Sequence, residues 1–196
     1  VASFNYPHSF KLTWVYEVPF GKGRRWDLGP ANYVIGGWQF AANQQYRSGS
    51  PISVSQGGLD IPDGFSGGIR PDVTGADPTL GGAPSKVDYF MPTPYLNPSA
   101  FVESPRTGAG VPLRVGTAPR YLPSTRGPHS MSENFRMTKS FPIYERIKFQ
   151  AGITMTNPFN RTTRDMVSTT VGDSGYGQLL QGGGGRRLQI DGRFEW

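Results

Sequence analysis

The chain has 196 residues, of which 27 are glycine, 18 proline and none cysteine, and it carries a formal net charge of +6 with only 17% charged residues. The missing cysteines exclude a disulfide framework, a thiolate metal site and a cysteine nucleophile. The glycine and proline content calls for long irregular connections, while 13% aromatics argue against simple disorder.

The first predicted strand lies near 9–18, in SFKLTWVYEV. Phe10, Leu12, Trp14, Tyr16 and Val18 point one way and Lys11, Thr13 and Glu17 the other, with Val15 the exception. The stretch PFGKGRRW follows with turn chemistry from Pro19, Gly21 and Gly23. A second, long strand is predicted near 33–55. Trp38, Phe40, Ala42 and Tyr46 share a face there, and Ile52 and Val54 keep the phase beyond Pro51. Gln39, Asn43, Gln45 and Arg47 form the opposite face.

A Gly/Pro-rich loop over 57–130 comes next, and its apolar stretch DYFMPTPYLNPSAFV is expected to pack locally. The third strand falls near 132–141, with Phe135, Met137 and Phe141 opposite Asn134, Arg136 and Thr138; a short turn over Pro142 to Arg146 closes it. The fourth, near 147–157, alternates Ile147, Phe149, Ala151, Ile153 and Met155 with Lys148, Gln150, Thr154 and Thr156. A second long loop, 158–185, leads to the fifth strand at 186–196. Leu188, Ile190, Gly192, Phe194 and Trp196 alternate there with Gln189, Asp191, Arg193 and Glu195.

Five long strands joined alternately by short and long connections predict an all-β fold: an antiparallel up-and-down sheet over 1–196, forming a single β domain or a barrel fragment. Alternation by itself fits two architectures, because the polar face is solvated in a β-sandwich and lines a wet lumen in a large barrel. Strand length, long loops gathered at one end and the aromatic last strand favour the barrel. No apolar run is long enough for a spanning helix, a test that spanning strands escape. A start at Val1, without initiator Met or signal-peptide pattern, leads to the expectation of a chain cut from a longer precursor.

Short motifs do not assemble into chemistry. Gly172-Asp173-Ser174-Gly175 copies a serine-protease nucleophile box, but only His8 and His129 could serve as base, and Tyr176-Gly177 replace the expected Gly-Pro. Gly21-Lys22-Gly23 lacks the phosphate-loop frame. Asp60 and Asp63 lack a third acidic ligand at calcium-loop spacing, and His8 with His129 has no ligand cluster. Scattered cations, with short clusters only at Arg24-Arg25 and Arg186-Arg187, read as a mildly basic surface rather than a nucleic-acid arm. The aromatics are more simply a sheet face or membrane girdle than a base-stacking platform. No catalytic residue, metal site or cofactor is assigned, and an enzyme is not expected.

The ordered blocks HSFKLTWVYEVPFGKGRRW, GGWQFAANQQYRSGSPISV, YLNPSAFV, RGPHSMSENFRMTKSFPIYERIKFQAGITMTNPFN and RRLQIDGRFEW resemble the C-terminal barrel of TonB-dependent receptors. The Oar-like group, with its N-terminal carboxypeptidase-regulatory-like domain, is the nearest in pattern. The resemblance implies an outer-membrane barrel of about 22 strands with a plug. It also implies that Leu188, Ile190, Phe194 and Trp196 form the terminal aromatic strand read by the barrel-assembly machinery. The plug, the TonB-contacting segment and most strands of that family have no counterpart here.

About five strands cannot close a membrane barrel, since the smallest have about eight. The expected partners are therefore the remainder of a larger barrel or other copies of the chain through strand edges, together with outer-membrane lipid and, for the parent, the assembly machinery. Nucleic acid is not expected. Two functions follow. One is a segment of an outer-membrane transporter in the bacterial outer membrane. The other is a processed fragment that self-assembles through its open edges into an extracellular filament. A secreted sandwich that binds through its loops is a third possibility, without a supporting motif.

Overall fold

The computed structural model describes residues 2–58, 69–81, 94–144, 146–166, 168–182 and 184–196. In chain order the first strands are β1 (Ser9–Glu17), β2 (Trp38–Arg47), β3 (Ser55–Gln56), β4 (Asp72–Val73) and β5 (Phe101–Val102). They are followed by β6 (Ser130–Tyr144), β7 (Ile147–Thr156), β8 (Thr163–Met166), β9 (Thr170–Val171), β10 (Leu179–Gly182) and β11 (Arg187–Glu195). The described chain forms two compact units.

The first unit, over Ser9–Tyr46, Met131–Thr162 and Gly184–Trp196, is an antiparallel five-stranded sheet in the order β1-β2-β6-β7-β11. β6 pairs with β7 so that Phe135 meets Met155, Met137 meets Ile153 and Phe141 meets Phe149. β11 pairs on the other side of β7, with Leu188 opposite Met155, Ile190 opposite Ile153 and Phe194 opposite Phe149. Because side chains alternate across a strand, these registers carry one apolar face across three strands. The long strands have 9, 10, 15, 10 and 9 residues, which reaches or exceeds the roughly 9–11 residues that a tilted strand needs to cross a bilayer.

Several strand boundaries differ from the sequence prediction. The second strand starts at Trp38, not near 33, because Gly29–Ala31 forms a 3-10 turn and Asn32–Ile35 a short helix α1. Pro30 sits in the first turn with its φ preset. Asp27 Oδ1 accepts from Gly29 N at 3.0 Å and Asn32 Nδ2 at 2.6 Å, and these two bonds lower the Asp27 pKa. Gly37 then takes φ +72, and a Cβ there would lie 2.6 Å from the Ser140 carbonyl oxygen. Glycine is what lets the chain leave the helix so close to β6. The third long strand, predicted for 132–141, continues through Pro142 to Tyr144, with a register shift between those two residues. Proline is tolerated at such a ladder irregularity.

The second unit, over Val1–His8, Arg47–Ser130 and Thr163–Gly183, contains the connections predicted as irregular loops. It has a core of its own: Ile52, Val54, Tyr95, Leu96, Ala100, Phe101, Ala118, Leu122 and Tyr176. Ile52 and Val54 therefore do not extend the β2 face, as their phase suggested. β2 ends at Arg47, and both side chains are buried here. Tyr95, Leu96, Ala100 and Phe101 give local packing to the described part of DYFMPTPYLNPSAFV; residues 88–93 lie outside the described residues.

Polar clamps tie this unit together. Gln56 Nε2 donates to Ser104 Oγ and Gln56 Oε1 accepts from Ser104 N, each at 2.7 Å. Arg114 forks onto Asp72 with two bonds of 2.7 Å, and Thr117 N adds a third at 2.9 Å. The Arg114 guanidinium, then the Thr117 amide, hold the Asp72 carboxyl down at about 2, against an ordinary 3.8. A depressed carboxylate contributes stability that is complete above its unfolded value and is lost as pH falls through its folded one. Hydrogen exchange, corrected for intrinsic rates, should show protection at 72–73 and 114–117 unchanged from neutrality down to about pH 4 and lost toward about pH 2. Asp72→Asn should remove that step.

Candidate functional site

The two faces of the five-stranded sheet are the feature with functional content. On the first lie Phe10, Leu12, Trp14 and Tyr16 of β1, then Phe135, Met137 and Phe141 of β6. Phe149, Ile153 and Met155 of β7 and Leu188, Ile190 and Phe194 of β11 continue it. These side chains are not packed away. Ile190 is 73% exposed, Phe194 60% and Trp196 93%, with Phe10, Tyr16 and Leu188 also exposed. Of the residues predicted as the terminal aromatic strand, Leu188, Ile190 and Phe194 are exposed on one side of β11, and Trp196 follows the strand's end, also exposed.

Aromatic rings pair at several levels of that surface, and in its middle Trp38 stacks on Phe40 at 6.4 Å. At one end Phe10 stacks on Tyr46 at 6.2 Å, Trp14 meets Phe135 edge-on at 6.2 Å, and Phe159 meets Phe135 at 5.8 Å. At the other, Phe141, Phe149 and Phe194 form a row with centroid spacings of 6.2 and 4.9 Å. Between them lie Met137, Ile153 and Ile190 in one register row. Phe135 and Phe141 are six positions apart on β6, so the aromatic rows are separated by about 20 Å at the strand's rise per residue. An apolar band about 25 Å tall between aromatic girdles is the outward surface of outer-membrane barrels.

The second face is polar. Arg136 bonds Asp191 through two contacts of 2.9 and 2.7 Å and Thr154 Oγ1 at 2.8 Å. This bridge passes over β7 at Gly152, where a Cβ would come within 2.6 Å of the guanidinium and 2.8 Å of the carboxylate. Gln39 reaches Glu17 at 3.4 Å, and Glu17 also pairs with Arg24 at 2.7 Å. A cavity of about 670 Å³ opens beside the 18–37 connection, with Lys22, Arg24, Asp27, Trp38 and Lys148 in its wall. Its acids are engaged, Glu17 by Arg24 and Asp27 by Gly29 and Asn32.

Two charges that the sequence reading passed over stand in the apolar phase. Glu133 is buried, accepts from Tyr46 Oη at 2.5 Å, and pairs with Arg161 at 3.7 Å. Lys139 is buried between the Trp38 and Phe141 rings, at 5.1 and 5.4 Å, and donates to the carbonyls of Val34 and Gly36. The signal was available in β6 itself: Glu133 and Lys139 share the odd positions of Phe135, Met137 and Phe141. Charges in an apolar stripe persist where each has a partner.

In the GDSG stretch Asp173 accepts from Ser168 Oγ at 2.6 Å, and the Ser174 carbonyl accepts from Gln178 Nε2 at 3.5 Å. His8 donates its backbone amide to Ser48 Oγ at 2.8 Å. Asp60 and Asp63 lie outside the described residues. Among the described residues, no group of three or more acidic or histidine side chains could hold a metal.

Among curated proteins and among solved structures, none matches the chain. The model of one family, described as an outer membrane beta barrel domain, matches residues 1–189. With that match across nearly the whole sequence and a sheet that is apolar and open on one side and polar on the other, the chain belongs to the family of outer membrane beta barrel domains.

Proposed function

We propose that the chain is the C-terminal β-barrel segment of a TonB-dependent outer-membrane receptor, a non-catalytic part of a transporter. The observation that carries this reading is the last strand. Leu188, Ile190 and Phe194 lie exposed on one side, Arg187, Gln189, Asp191 and Arg193 occupy the other, and Trp196 follows. That is the pattern of a lipid-facing and lumen-facing strand, and the ordered resemblance of the sequence blocks supplies the receptor type.

The topology adds a constraint on the missing remainder. Five antiparallel strands leave β1 and β11 running in the same direction at the two edges. A closed barrel with antiparallel neighbours throughout therefore takes an odd number of further strands from its partner segment. Expressed with its parental N-terminal sequence, the chain should give a detergent-dependent, heat-modifiable barrel that binds the periplasmic domain of TonB. A soluble monomer without detergent overturns the barrel reading. A barrel that fails to bind TonB overturns the receptor type alone.

A second reading has an observation of its own, the two edge strands β1 and β11, which no strand covers among the described residues. A processed fragment could pair these edges between copies outside the cell, and a head-to-tail contact that does not close makes a filament. Because the edges run the same way, that seam is parallel. Electron microscopy of the detergent-free chain gives repeating fibres under this reading, and dispersed single particles reject it.

A further inference from the structure

We propose that the cavity beside the 18–37 connection binds a small carboxylic acid with a flat apolar body, its carboxylate held by Lys148, Gln150 and Ser140; it rests on the reading of the polar face as the lumen side. The cavity lies wholly within the five-stranded unit. Its volume of about 670 Å³ is of the size that small-molecule sites have.

Register places the donors side by side. Ser140 of β6 stands directly opposite Gln150 of β7, and Lys148 lies two positions along β7, opposite Pro142. Residues two apart on a strand share a face and lie about 7 Å from one another. Lys148, Gln150 and Ser140 all line the cavity. Among the described residues none of the three side chains makes a hydrogen bond or an ion pair.

The charge balance selects an anion. Lys22, Arg24 and Lys148 bring three positive charges to the wall, and Glu17 and Asp27 bring two negative ones. Glu17 is paired with Arg24 at 2.7 Å. Asp27 is bound by Gly29 N and Asn32 Nδ2, and the Lys22 ammonium offsets its charge. Lys148 is left over. The acid opposite it on β11, Glu195, is engaged by Arg193 at 3.6 Å. An ammonium, an amide and a hydroxyl can together donate to the two oxygens of one carboxylate.

The connection supplies rings for the body of the ligand. Phe20, which meets Trp26 at 5.1 Å, and Tyr33, which is 72% exposed, both line the cavity. Pockets of this kind combine an apolar lining with a few polar groups that fix orientation. Short barrel turns are periplasmic, and the cavity lies at the end of the sheet where β6 gives way to β7. The site is therefore at the periplasmic end of the barrel.

The test is a fluorine NMR titration of para-fluorophenylacetate into the parent barrel in phosphatidylcholine nanodiscs, with empty nanodiscs as the blank. Saturable binding is expected. The neutral counterpart, para-fluorophenethyl alcohol, should bind at least about tenfold more weakly, the loss expected from one charge-assisted hydrogen bond. Lys148→Gln, which breaks no internal bond, should weaken the acid by a similar factor and leave the alcohol unaffected. Lys11→Gln, on the polar face of β1 and outside the cavity, should change neither. Absence of saturable binding, equal affinity for acid and alcohol, an equal loss from Lys11→Gln, or displacement by acetate at matched concentration overturns the site. A heat-modifiable barrel that ignores the acid removes this site only, whereas a chain that never inserts removes the barrel reading as well.

Discussion

Replacing Ile190 by Arg is expected to destabilise the membrane-inserted parent barrel by about 2–4 kcal/mol, the cost of an arginine on the lipid face near the bilayer midplane. Ile190 is 73% exposed and lies in the row of Met137 and Ile153, between the two aromatic ends. The same charge one residue earlier, in Gln189→Arg, enters the polar face opposite Thr154 and should change stability by less than about 1 kcal/mol, as lumen substitutions do. Denaturant titration in lipid vesicles, followed by tryptophan emission and electrophoretic mobility, measures both. The contrast matters more than either value, because a one-residue step reverses the side of the sheet. Equal costs at both positions would sink the assignment of an outer and an inner face.

Leu96→Ala should produce the second large effect, about 2–5 kcal/mol, as for other fully buried leucines. Leu96 has 0% exposure and lies in the core with Ile52, Val54, Phe101 and Tyr176. The loss should appear as faster hydrogen exchange across 94–122, within the unit that holds this core, while exchange in β6 and β7 stays slow. Sheet strands that open together with 94–122 would contradict two separate units. The measurement also asks whether this long connection is a folded element, since a truly irregular loop would show no such dependence on one leucine.

Much of the sheet was legible from residue order. In β7, Ile147 to Met155 alternates with polar residues, and the structure keeps that phase over Ile147–Thr156. In β11 the prediction of one apolar face agrees with the pairing of Leu188, Ile190 and Phe194 with Met155, Ile153 and Phe149. Period two is a local property, so it survives without knowledge of the neighbours. Ile52 and Val54 show where that logic ends: their phase was right for β2, but the chain leaves the strand at Arg47 and buries them elsewhere. The 29–35 segment shows the same limit, since a few residues around Pro30 and Gly37 decide between strand and short helix.

The sequence by itself determined that this chain makes long two-faced strands, that one side is apolar, and that the last strand alternates Leu188, Ile190 and Phe194 with polar residues. Those properties follow from side-chain alternation, which needs only the order of neighbouring residues. Tertiary structure alone decided how the exceptions are accommodated. Glu133 finds Tyr46 at a separation of 87 residues, and Lys139 finds the Val34 carbonyl at 105. Arg136 reaches Asp191 across 55 residues because Gly152 leaves room on the strand between. A charge in an apolar stripe is tolerated when a partner is brought to it, and which residue becomes that partner is fixed by register and by the turns, not by local pattern.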